Sequence, residues 1–232
     1  MRHFKKALFL ALATLLFGSY LQAEMEVVRQ PISFVEEIEY NGVGKLIVRQ
    51  GDKSELTIRG EPGFIHDTRI RTAHGRVYVE RKLNALRPPL QDIVCIVTVK
   101  RELHKIILRG EVNLDSQDLK LDDLEIDMRD LTTANVLLTG ADFRGTIRDR
   151  ATLTMHGAVN NQRILVEDFG SYLGNDFLSK TCEVKLVGSG VANVQADDTL
   201  SAFVVGSGTI TYMKIPKKLN QRVSGSGSIQ QQ

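Results

Sequence analysis

The chain has 232 residues, 25% of them charged, with 30 Lys+Arg against 28 Asp+Glu and only two cysteines. Arg2, Lys5 and Lys6 fall in a leader; without it 27 basic residues face 28 acidic ones, so the apparent basicity belongs to targeting. A balance near zero excludes the strongly basic footprint of a nucleic-acid binder, and the length suits one cored domain.

Residues 1–23 read as a secretory signal peptide: a basic start, the apolar run Ala7–Phe17 and a small residue, Ala23, at the cleavage point. The apolar run is well short of the ~20 residues that span a bilayer. No transmembrane segment is expected in the mature chain, which is exported through the Sec route to the periplasm or the cell surface.

Residues 24–107 are β-rich without a constant interval. Gly51-Asp52 separates Lys45–Arg49 from Glu55–Arg59, and His74-Gly75 separates Thr68–Thr72 from Arg76–Glu80, as in strand–turn–strand units. Pro88-Pro89 predicts a strand end, because neither residue donates a ladder hydrogen bond. This part caps or continues the more regular region over residues 108–229.

Residues 108–229 carry a period. Gly-Ser-Gly recurs at Gly188, Gly206 and Gly225, and the same interval backwards reaches Asp168, Asp149, Asp130 and Gly110. Two residues before these turn positions stand Leu108, Met128, Ile147, Val166, Leu186, Val204 and Val223. Four after them stand Leu114, Ala134, Leu153, Tyr172, Ala192, Ile210 and Ile229. Leu124, Ile126 and Met128 alternate with Glu125, Asp127 and Arg129, the two-residue rhythm of a strand with one face buried. A fixed period with apolar columns is the signature of a stacked solenoid. The expected fold is all-β: a single-stranded right-handed parallel β-helix with coils of about 19 residues, closed by the polar tail 230–232.

That stacking bears on the cysteines. Cys182 stands in the column of Leu124, Phe143, Leu200 and Leu219, facing the core. Cys95 lies more than four coils earlier, about 20 Å at ~4.8 Å per coil, whereas a disulfide needs Cα atoms within about 7 Å. Both thiols are expected to be free.

Candidate chemistry is sparse. Arg109, Arg129 and Arg148 each precede a turn position by one residue, and Arg144 and Arg163 by five, which stacks them on an outer face. Such a stripe suits an acidic polysaccharide or lipid headgroups. Asp130, Asp149, Glu125, Glu167 and Glu183 stand beside the arginines, and a mixed charged face also keeps a β surface soluble. Asp123, Asp142 and Asn161 form a second outer column, a pattern that can hold Ca²⁺ but is commoner as an ion-free polar ladder. The Gly-Ser-Gly turns lack the lysine and helix of a phosphate loop and read as corners. Asp197-Asp198 reads as a turn. His66, His74, His104 and His156 are scattered without zinc-type spacing. No catalytic residue, metal site or cofactor is expected.

The run Glu37-Ile38-Glu39-Tyr40-Asn41-Gly42, then Leu46-Ile47-Val48-Arg49-Gln50-Gly51, resembles the opening of the head GIN domain family of auto-transporter adhesins. The close, Val205-Gly206-Ser207-Gly208-Thr209-Ile210-Thr211-Tyr212 and Val223-Ser224-Gly225-Ser226-Gly227, is similar to that family's ending. The resemblance implies an exported β-helical envelope protein and brings no catalytic residues with it. The expected function is therefore a non-enzymatic binding module whose partner is an envelope glycan or protein. A polysaccharide lyase or hydrolase on the same scaffold, and a self-assembling structural protein, are the alternatives; the oligomeric state stays open.

Overall fold

Strand-forming sequence dominates the chain, and a computed structural model, which describes residues 25–81 and 93–232, is built almost wholly of strands. The leader expected over residues 1–23 and the strand end expected at Pro88-Pro89 lie outside the described residues. In chain order the strands are β1 (Glu26–Pro31), β2 (Glu37–Gln50), β3 (Glu55–Gly60), β4 (Thr68–Ala73), β5 (Arg76–Arg81), β6 (Val94–Val99), β7 (Lys105–Ser116) and β8 (Leu119–Met128). There follow β9 (Thr133–Ile147), β10 (Thr152–Asp168), β11 (Ser171–Gly188), β12 (Val191–Gly206), β13 (Thr209–Tyr212), β14 (Lys218–Gly225) and β15 (Ser228–Gln231). One short helix, α1 (Pro62–His66), follows β3.

From β7 onward every ladder is parallel, and each strand lies on the one a coil later. The register is the one the period predicts. Leu108 pairs with Met128, Met128 with Ile147, Ile147 with Val166, Val166 with Leu186, Leu186 with Val204, and Val204 with Val223. The column from Leu114 to Ile229 is aligned in the same way. These side chains form one continuous core, except that Val223 is 43% exposed. An inner residue is covered by the coils on both sides, and β14 has a ladder neighbour on one side only. The fold is a β-solenoid with coils of about 19 residues.

All seven turn positions have positive φ, from 57° at Asp149 to 124° at Gly225. Two kinds of corner share the line. Asp130, Asp149 and Asp168 sit near 60°, the left-handed region that short polar side chains tolerate. Gly188, Gly206 and Gly225 sit near 120°, which only glycine adopts freely.

The chain order at the start of the stack differs from a simple winding. β2 lies in register with β7, Gly42 against Gly110, so Gly42 (φ 125°) is an eighth turn position. On its other side β2 is covered by β5 along Glu37–Asn41 and by β6 along Lys45–Gln50. β2 is thus sandwiched between strands that come after it in sequence. Beyond them the pairing turns antiparallel: β4 on β5, β3 on β6 and β1 on β3. His74-Gly75, both with positive φ, joins β4 to β5 as the expected hairpin. The strands flanking Gly51-Asp52 do not pair with each other, because β6 lies between them.

Cys95 and Cys182 are both free and buried, as the stacking requires. The column of Cys182 also contains a polar residue, Gln162, which is 3% exposed. Its amide donates to Ser179 Oγ (2.9 Å) and the Gln195 carbonyl (3.1 Å), and its Oε1 accepts from the Tyr172 hydroxyl (2.9 Å). A buried amide is stable only when satisfied in this way. Asp197-Asp198, expected in a turn, lies within β12, where Asp197 pairs with Lys214 and Asp198 with Lys217, both at 2.7 Å.

Candidate functional site: a corner cleft between charge columns

Strand alternation and the constant coil length convert outward residues into columns one coil, ~4.8 Å, apart. Five residues before the turn line, the ladders place Glu37 beside Lys105, then Glu125, Arg144, Arg163 and Glu183. Most of these charges are matched. Glu37 meets Arg76 at 2.9 Å, Lys105 meets Glu125 at 2.6 Å, and Arg163 meets Glu183 at 3.1 Å. Arg144 has no ion pair or side-chain hydrogen bond among the described residues.

The arginines next to the turns are also engaged. Arg109 reaches Glu39 at 3.2 Å and Arg129 approaches Asp127 at 3.7 Å. Arg148 spans Asp127 at 3.0 Å and Glu167 at 2.6 Å. Asp130 and Asp149, which the sequence sets beside these arginines, are used differently. Asp130 Oδ2 accepts from the backbone N–H of Gly110 (2.8 Å), and Asp149 Oδ2 from that of Asp130 (3.1 Å). Each satisfies a corner amide of the preceding coil.

Asp123, Asp142 and Asn161 stack in register and continue into Thr181, Thr199 and Lys218. Asn161 donates to Asp142 Oδ1 (2.9 Å) and accepts from the Thr181 hydroxyl (2.6 Å), while Asp123 lies 3.1 Å from His104 Nδ1. This is a self-bonded polar ladder. Among the described residues no group of three or more His, Cys, Asp or Glu is placed to hold a metal ion.

Between these two columns runs a concave corner. One cleft, of about 400 Å³, has Asp142, Asn161, Thr181 and Thr199 on one wall. Arg144, Arg163, Glu183 and Ser201 form the other, with Phe143, Gln162 and Cys182 beneath. A second cleft of about 490 Å³ lies along the same column, lined by Glu36, Glu37, His74, Arg76, His104 and Lys105. The fold therefore brings His74 and His104 to one cleft, while His156 stands apart, 3.7 Å from Asp176. The Gly-Ser-Gly turns are corners; Ser189 and Ser207 bond to each other at 2.9 Å. No helix among the described residues is long and apolar enough to cross a membrane.

Residues 35–216 match the family described as "putative auto-transporter adhesin, head GIN domain". The chain belongs to this family. The match begins where β2 enters the stack and takes in every column of the corner cleft. Solved structures share the fold. A "putative adhesin" of Bacteroides fragilis superposes with a TM-score of 0.80 at 16% identity, covering 90% of this chain and 97% of its own. A "putative lipid binding protein" of Parabacteroides distasonis gives 0.70 at 19% identity, covering 91% and 98%. A "putative adhesin" of Parabacteroides merdae gives 0.67 at 15% identity, covering 91% and 97%. No curated protein matches the chain. The neighbours share the fold, and the adhesin family points to a binding module that is exported to the cell surface.

Sequence reasoning located the arginine and aspartate columns but not the cleft between them. Gln162 and Gly42 also escaped it. Gln162 was findable by stepping the Cys182 column back one coil; Gly42 had no local signal, because its coil partner lies beyond four intervening strands.

Proposed function

We propose that this is an exported, non-enzymatic binding module of the cell envelope whose corner cleft holds an extended acidic glycan along the coil axis. The observation that carries the reading is Arg144. It stands between two complete ion pairs with its guanidinium unspent, facing a wall made of the Asp142 carboxylate, already held by Asn161, and of amide and hydroxyl groups. A guanidinium offers a planar fork that matches a carboxylate. Thr181 and Thr199 supply hydroxyls one coil apart, with Ser201 on the opposite wall, so a ligand lying along the axis meets hydroxyl groups at successive steps.

The carboxylates of the cleft support binding over acid–base chemistry. Asp142 is held by Asn161 and Glu183 by Arg163, so each already serves as a structural partner. Export follows from the leader over residues 1–23, through the Sec route, to the periplasm or the outer surface.

Retention on immobilised alginate or polygalacturonate in a salt series tests the reading. Arg144→Ala is expected to weaken retention by about tenfold, equivalent to ~1.4 kcal/mol. Substitution of Arg109 or Arg148, whose guanidiniums are already occupied by Glu39, Asp127 and Glu167, should matter less. Unchanged retention in Arg144→Ala, or release of cleaved sugar by the unmodified protein, would contradict it.

A further inference from the structure

Three and five residues past the turn line, the outward positions of six successive coils carry no charge, and the cation at their rim is the exposed Arg150, one residue past Asp149. Three residues after the turn positions from Asp130 to Gly225 stand Thr133, Thr152, Ser171, Val191, Thr209 and Ser228, stacked in that order by the ladders. The column two residues further on, from Asn135 to Gln230, is likewise built only of Asn, Thr, Leu and Gln. Charge returns one coil earlier, where Asp115 bridges to Lys45. An exposed sheet in water ordinarily carries charges, which keep it soluble and discourage pairing with other chains. This strip lacks them through six successive coils.

Most of its polar groups are also unspent, although the Thr209 and Ser228 hydroxyls bond to each other at 3.2 Å. Thr133, Asn135, Thr152, Thr154 and Asn193 have no side-chain hydrogen bond among the described residues. The Asp142–Asn161–Thr181 column, by contrast, is bonded along its own length. On the rim of the strip Phe169 is 64% exposed, two residues before Ser171, and Val191, the ladder partner of Ser171, is 40% exposed. Leu173 stands in the next column, so an apolar spot sits within a field of hydroxyl and amide groups.

We propose that this strip is a second binding surface, separate from the corner cleft, and that its ligand is a neutral polysaccharide laid across the coils. Sugar hydroxyls donate and accept, as do the Thr, Ser and Asn side chains that would meet them. Uncharged groups cost far less to desolvate than ions, so a wide contact can form without ion pairing. The aromatic ring of Phe169, with Val191 and Leu173, offers the apolar C–H face of a pyranose a place to pack. An acidic polymer would find a cation at Arg150 on the rim but none along the two uncharged columns, and a second copy of the chain would lay two sets of mostly unspent polar groups on a surface with little charge to fix their alignment.

Co-sedimentation of the full chain with microcrystalline cellulose, chitin, insoluble β-1,3-glucan and starch granules tests the assignment. Retention on at least one of them is expected, and it should be insensitive to added salt. Thr154→Lys and, independently, Phe169→Ser should each lower it by about tenfold with an unchanged far-ultraviolet dichroism spectrum. Arg144→Ala should leave it intact, which separates this surface from the cleft. No retention on any of the four polymers would overturn the proposal. So would equal retention of both variants, retention lost in salt, or a concentration-dependent dimer that Thr154→Lys abolishes without any polymer binding.

Discussion

Cys182 faces the core between Gln162 and Leu200, and Cys95 between Leu46 and Ile58. Burial penalises each thiolate, pushing Cys95 from 9.0 up to about 12 and Cys182 also well above its ordinary range. The sign of the pH dependence is set by that direction. Below pH 9 both thiols are protonated in folded and unfolded chains alike, and their contribution is fully present. As pH rises past 9, the unfolded chain releases protons that the folded chain retains, so stability is lost until the folded value is passed. At pH 10 the loss is on the order of 1 kcal/mol per thiol. Urea midpoints should therefore fall between pH 8.5 and 10.5, and less steeply in a Cys95→Val, Cys182→Val double variant. Parallel slopes would contradict the buried, unpaired state of the thiols. The inward direction of Cys182 was legible from its column. The same column reaches Gln162 but not the partners that make it tolerable, because Tyr172 and Ser179, which complete its buried amide, come from other positions in the coils.

At the scale of the element, the corner is the unit that repeats, and its two forms are not interchangeable. A Cβ at Gly206 would sit 2.5 Å from the Gly188 carbonyl oxygen, with φ at 122°. Asp149 has φ at 57° and reaches the Asp130 amide. Gly206→Asp should thus destabilise by about 2 kcal/mol or more, although aspartate occupies the same line at position 168. Asp149→Gly loses one hydrogen bond and relieves a left-handed non-glycine residue, so its net effect should stay within about 1 kcal/mol. Urea denaturation of the two variants distinguishes them, and equal losses would contradict the two-corner account. The turn line from Gly110 to Gly225 was readable because local strand alternation and a constant interval coincide there. The place of β2 was not, since its ladder partners β5, β6 and β7 all come later in the chain at a distance. The arginine columns were readable for the same reason as the turns, and the clefts between columns were not, since residue spacing places the Asp142 and Arg144 columns side by side without showing that a concave corner lies between them.

Over the whole molecule, stacking turns single residues into lines. One line is a run of ion pairs broken at Arg144, another a self-bonded polar ladder, and a third an uncharged strip beside Phe169. A linear polymer lying along the axis would meet each line at coil spacing, which is why a solenoid suits the binding of extended ligands. All of these assignments depend on one geometric property: each coil adds a constant rise, and the columns stay aligned across the local bulges in β10–β12. Pairwise electron-spin distances along one outer column measure it directly. Labels at Thr133 and Thr209 are separated by three ladder steps beyond the first, and labels at Thr133 and Ser228 by one more. The account predicts mean distances of about 19 Å and about 24 Å, an increment of one ~4.8 Å strand spacing. Equal distances, or a second pair closer than the first, would contradict the stack.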